Sequence, residues 1–189
     1  MNYSNGKHLL NLEEYEQAFE LFETGAQAGD PKCIYGMIAT LASANMDFSK
    51  HLHECACLLP ELLRIANEKK DKDVCFIVGR CHEVGLCTAV NIEKAVEYYT
   101  AAADLGNEDA MFNLGCIFLQ QTNDIETATT RYFLPSADLG STNAQLAVAH
   151  YYDKNGNREN ALLWYSRAAK DGSVRTKEIL KNFLANRTK

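Results

Sequence analysis

The residues best equipped for chemistry form one short run: His51, Leu52, His53, Glu54, Cys55, Ala56 and Cys57. Imidazoles and thiols are the ligand types of zinc and copper. On a helix His51 and Cys55 are four apart and share a face, as do His53 and Cys57. The two pairs point about 200° apart, so one straight helix cannot close all four round a tetrahedral ion. His51 and Cys55 could hold a transition metal only with help from another helix. The other reading is of buried thiols beside surface or interface histidines, since free cysteine behaves as a small hydrophobe. Cys75, Cys81 and Cys87 are six apart, which matches neither a redox C-x-x-C pair nor a zinc knuckle. They read as core, and so does His82 beside Cys81. No Gly-rich phosphate loop, H-E-x-x-H or nucleophile elbow is present. The sequence therefore carries an expectation of no catalytic residues, no enzyme activity and no cofactor.

Composition narrows the classes further. The 189 residues are 47% hydrophobic and 23% charged, with three prolines, which suits a packed globular chain. Lys plus Arg is 19 and Asp plus Glu is 25, for a net charge of −6. A mildly acidic chain argues against a general nucleic-acid binder, which needs a basic face. No stretch approaches ~20 apolar residues, so no bilayer span is expected. The start, MNYSNGKHLL, has no basic-then-apolar export pattern. A cytoplasmic setting with reduced thiols is expected, and seven cysteines cannot all pair within one chain.

The elements come from internal repetition. Glycines stand at 29, 106, 140 and 172. Eleven residues before three of them are Ala18, Ala95 and Ala161. Seven before are Phe22, Tyr99 and Tyr165; four before are Gly25, Ala102 and Ala168. The block ending at Gly140 fits with Thr129, Phe133, Ser136 and Ala137, but holds one extra residue after Ala128. That residue implies a bulge near Pro135. A degenerate block ends at Lys70, with Leu59, Leu63 and Ala66 in register. After each anchor a second stripe follows: Val74, Val78, Gly79 and His82; Ala110, Leu114, Gly115 and Phe118; Ala144, Val148, Ala149 and Tyr152. Offsets of four, four, one and three make one helical face.

The unit is thus a helix–turn–helix of about 34 residues that cannot bury its apolar face alone. Helices are expected near 2–10, 13–28, 31–45, 49–69, 72–84, 91–105, 108–120, 124–138, 142–153, 157–170 and 173–186. Pro60 and Pro135 should kink theirs. The last helix carries Thr176, Leu180 and Leu184 on its stripe. Lys181 stands where a small packing residue belongs, which makes this helix a cap.

YYTAAADLG (98–106), WYSRAAKDG (164–172) and AMFNLGCIF (110–118) resemble the Sel-one-like repeat, a branch of the tetratricopeptide superfamily. Glu93, Lys94 and Ala95 match its Lys-Ala element, and Gly85 and Val90 loosely match its loop. The resemblance covers nearly the whole chain and is weakest at 30–70. It implies an all-α, right-handed α-solenoid of about five helix pairs plus the capping helix, as one domain over 1–189. It implies a scaffold or adaptor for proteins, and no catalytic residues.

In such a stack one stripe of each first helix lines the concave face. Counting from the close-packing pair places Asp73, Phe76, Arg80 and Glu83 there in one unit. The next has Asp109, Phe112, Cys116 and Leu119, and the one after Asn143, Leu146, His150 and Asp153. Lys32 and Tyr35 come from the least certain unit. The second positions form a ladder, Tyr35, Phe76, Phe112 and Leu146. Aromatics on a groove anchor peptides, because they bury much area for little entropy. These side chains could instead simply pack between adjacent units. The function expected is binding of a protein or peptide partner along the groove, with no nucleic acid, membrane or obligatory small molecule. Two alternatives stay open: a metal- or redox-responsive binding protein using His51 and Cys55, and a secretion-type or assembly chaperone.

Overall fold

One junction recurs along the chain: a residue in the left-handed conformation, followed at once by a helix cap. Gly29, Gly106 and Gly140 have φ of 85°, 82° and 113°. Only glycine takes this conformation without cost, and it ends a helix by turning the chain aside. Lys70 sits at the degenerate anchor and adopts φ 49° all the same. A side chain there costs roughly 1–2 kcal/mol, so the repeat geometry overrides the residue. Next to the anchors, Asp71, Asn107 and Ser141 accept hydrogen bonds from backbone N–H groups of the following helix. Each such cap is worth about 1 kcal/mol. One helix therefore ends and the next begins with only two or three residues between them.

The computed structural model describes residues 2–43, 59–60, 62–86, 88–171 and 173–185. Among these there is no β-strand. The helices are α1 (Asn2–Asn11), α2 (Tyr15–Gln27), α3 (Pro31–Ser43), α4 (62–69), α5 (Lys72–Val84) and α6 (Ile92–Asp104). They continue as α7 (Glu108–Thr122), α8 (125–139), α9 (Thr142–Lys154), α10 (Arg158–Ala168) and α11 (Val174–Ala185). The expected helix 49–69 is described only at 59–60 and 62–69, which are helical. The His51–Cys57 run, with the metal candidates His51 and Cys55, lies outside the described residues, as do Cys87 and the Gly172 anchor.

Helix α8 is composite. Ile125–Ala128 is α-helical, Thr129–Phe133 is a π turn, and Leu134–Leu139 is α-helical again. The Leu134 N–H donates to the Thr129 carbonyl five residues back. The extra residue counted after Ala128 is absorbed here, just ahead of Pro135, which has no N–H to offer a regular ladder.

The chain forms two compact units, Met1–Leu105 and Gly106–Lys189. In the first, α1 packs on α2, α2 on α3 and α5 on α6. In the second, α7 packs on α8 and α9 on both α8 and α10. The marker alanines Ala18, Ala95, Ala102, Ala110, Ala144, Ala161 and Ala168 have no exposed surface, so they are contact points between helices. The repeat aromatic then enters the space that the glycine of the preceding helix leaves. A Cβ on Gly79 would lie 2.6 Å from the Tyr99 ring, and one on Gly115 would lie 2.5 Å from Phe133. Both approaches are closer than carbon atoms tolerate. Tyr99, Phe22 and Phe133 are buried in this way, each side chain contributing roughly 1.5–3 kcal/mol of apolar burial.

The last helix buries Thr176 and Phe183 and half-buries Leu180, while Leu184 is exposed. The buried stripe thus turns to Phe183, one residue before the expected Leu184. The reason is a partner: the Phe183 ring meets Tyr165 with centroids 4.8 Å apart. Lys181 is exposed.

Candidate partner-binding face

In the first unit the expected face residues meet rung by rung. The first positions of α3 and α5 pair through Lys32 and Asp73, Nζ to Oδ2, at 2.8 Å. The second positions pair through Tyr35 and Phe76, edge to face, with ring centroids 5.8 Å apart. Phe76 also leans on Tyr99 of α6 at 5.8 Å. Tyr35 and Phe76 are each half-buried, so part of each ring remains available.

Further along α5, the Glu83 carboxylate receives two donors on Oε2. Arg80 donates at 2.7 Å and the Tyr99 hydroxyl at 2.6 Å. Burial works against the Arg80 charge, but the fields of Tyr99, Glu83 and Tyr35 outweigh it and hold the guanidinium above its ordinary pKa. Hydrogen bonding to Asp73 likewise raises Lys32. This unit therefore carries two apolar rings bordered by two cations and two anions already paired with one another.

The second unit arranges its residues differently. Phe112 is half-buried against Phe133, with centroids 5.4 Å apart. Leu146 is 7% exposed and belongs to the core cluster, so it offers little surface to a partner. Asp109 and Asn143 are exposed, and Asp109 accepts a hydrogen bond from the Ser141 hydroxyl at 3.2 Å. His150 is exposed; its Nδ1 donates to the Leu146 carbonyl at 2.8 Å, and its ring stands edge-on to Tyr165. Trp164 is buried beneath the Arg167 guanidinium, 4.5 Å above its ring, which is a packing role.

The remaining chemistry-bearing residues are core. Cys33, Cys75 and Cys81 are buried, and no cysteine among the described residues is disulfide-bonded. Burial, helped by the Asp30 charge, pushes the Cys33 thiol up to about 11, far from a reactive thiolate. His82 is buried against Tyr98, in a nearly parallel stack.

The sequence reading missed the part played by the Tyr99 hydroxyl, although a signal existed. Four residues after the close-packing positions Gly6, Gly79, Gly115 and Ala149 stand Leu10, Glu83, Leu119 and Asp153. The aromatics of the same units are Phe22, Tyr99, Phe133 and Tyr165. Leucine goes with phenylalanine and an acid goes with tyrosine. Asp153 also acts on Tyr165: burial first, and then its charge, raise that phenol.

Helical hairpins joined by two- or three-residue junctions, with small residues seating aromatic rings, define an α-helical repeat scaffold. The chain belongs to the Sel1 repeat family, whose model matches residues 2–30, 73–107, 108–141 and 142–173. Residues 31–72, where the repeat is degenerate, fall outside the match. The fold is the all-α solenoid fold of tetratricopeptide and Sel1-like repeats. It is similar to a thermophilic TPR protein of Thermus thermophilus, with a TM-score of 0.64, 15% identity and 97% of each chain covered. Among curated relatives, "Activator of C kinase protein 1" of Saccharomyces cerevisiae is 32% identical over 43% of this chain and 16% of its own length. "Chitin synthase regulatory factor 4" of Schizosaccharomyces pombe is 21% identical over 90% of this chain and 35% of its own length. The chain thus spans about a sixth and about a third of these relatives. Repeats of this kind generally mediate protein–protein interaction. Among the described residues no helix is long and apolar enough to cross a membrane.

Proposed function

We propose that the chain is a non-catalytic scaffold or adaptor that binds a segment of a protein partner along the stripes of its first helices. The observation that carries this is the pair of rungs Lys32–Asp73 and Tyr35–Phe76. Half-buried rings framed by charges of both signs give a partner an apolar anchor and a polar border. The face residues are Tyr35, Asp73, Phe76, Arg80 and Glu83 in the first unit, and Asp109, Phe112, Asn143 and His150 in the second, with Leu146 beneath them. The domain is one repeat array over 1–189, closed by α11. Its net charge of −6 disfavours phosphate backbones, and its free thiols suit a reducing cytoplasm. The names of the two fungal relatives, an activator and a regulatory factor, support a role in which binding regulates another protein.

The test is capture of a partner from the native cell on the wild-type protein. The captured partner is then titrated against the double variant Phe76→Ala/Phe112→Ala. Affinity should fall by about tenfold or more, with helical content by circular dichroism retained. Undiminished binding to the folded double variant contradicts the reading.

A further inference from the structure

A cleft of about 250 Å³ opens in the second unit between α9, α10 and α11. It lies below the ~300–1,000 Å³ of small-molecule pockets. Its charged, imidazole and amide lining is His150, Asp153, Arg158 and Asn182, and Ile179, Phe183 and Tyr165 complete it. The Arg158 guanidinium lies 4.9 Å over the Phe183 ring. A guanidinium held over a ring keeps N–H groups with which to donate. Among the described residues Arg158 and Asp153 form no ion pair with each other or with any other residue. His150 donates its Nδ1 proton to the Leu146 carbonyl, so in the neutral ring Nε2 is an acceptor. The cleft thus offers one strong donor fork in Arg158, two acceptors in Asp153 and His150 Nε2, and an amide of either kind in Asn182.

That inventory decides among ligands. A carboxylate would satisfy Arg158 but face two acceptors. An ammonium would satisfy Asp153 but face a fixed cation. A peptide group brings one acceptor and one donor on a neutral body, and matches both sides at once. We propose that this cleft grips the main chain of an extended partner segment, with Arg158 donating to a carbonyl and Asp153 accepting from an N–H. A helical segment has already used those groups internally, so the occupant is extended. This rests on the reading that the protein binds a partner segment, and adds the conformation in which the segment is held.

The full chain is titrated by NMR with acetyl-Gly-Leu-Gly-amide, with the same compound carrying an ester in place of one amide, with sodium acetate and with butylammonium. The peptide should shift the Arg158 Nε–H and Asn182 side-chain signals. The ester should bind about fivefold more weakly, as expected for one lost hydrogen bond. Arg158→Gln and Asp153→Asn should each weaken the peptide without changing the rest of the spectrum. Equal binding of ester and peptide, a larger response to acetate or butylammonium, or silence to every probe overturns the proposal. None of those results touches the Phe76 and Phe112 experiment, so the two readings fail separately.

Discussion

Tyr99 and Phe133 hold the same place in their repeats, and one oxygen atom separates their environments. The Tyr99 hydroxyl donates to Glu83, while Phe133 belongs to a unit that carries Leu119 where the other carries Glu83. Tyr99→Phe should cost about 1 kcal/mol, because it removes a donor from a charged acceptor. Phe133→Tyr should also destabilise, by about 1–3 kcal/mol, since its hydroxyl gains no acid to bond. Urea unfolding of the two variants checks both; a neutral Tyr99→Phe would show that the hydrogen bond adds nothing. His82 gives a pH dependence at the same scale. Burial, with Lys94 adding to it and Glu97 opposing, keeps its pKa below the ordinary 6.5. Its Nδ1 is buried and has no hydrogen-bond partner among the described residues. The unfolded chain therefore binds this proton more readily than the folded one. The contribution of His82 to stability is present above pH 6.5 and declines as pH falls through 6.5 toward the folded value. Unfolding midpoints measured across that window should slope less in His82→Phe, which keeps an aromatic ring against Tyr98.

At the scale of the element, α8 is the helix that departs from the common plan. Its π turn takes up one residue more than α2, α6 or α10 hold between alanine and anchor, so that residue is dispensable to the register. Deleting exposed Thr130 should convert Thr129–Phe133 to regular α-helix and leave Phe133 seated on Gly115. Deleting exposed Thr100 from α6 has no such slack to draw on. It would rotate everything after it by about 100° and pull Ala102 off its contact. Thermal melts followed by circular dichroism should show a small loss for the first deletion and a large one for the second. Equal damage from both would contradict this origin of the bulge. Much of the fold was legible in the sequence, because helix-to-helix contact in a repeat is written as small residues and aromatics at fixed offsets. The count after Ala128 foretold the bulge. The turn of the last stripe to Phe183 was not legible, since it depends on which ring Tyr165 meets. The Tyr–acid pairing was written in the sequence too, but only a side-by-side comparison of repeats displays it.

For the whole molecule, family and fold follow from repeated local contacts, while partner choice rests on a few side chains whose exposure the repeat pattern leaves open. Tyr35 and Phe76 show this: their spacing placed them side by side, but their half-burial, which makes them both packing and surface, depends on the folded neighbours. The cleft that brings Asp153 and Arg158 together was equally hidden, because they lie on two helices, α9 and α10. If the first helices meet the partner, hydrogen–deuterium exchange of the protein, free and bound to its captured partner, shows it most directly. Added protection should fall on α3, α5, α7 and α9 and leave α2, α6 and the exposed side of α8 unchanged. Protection confined to those second helices, with α5 and α7 exchanging as in the free protein, would contradict it.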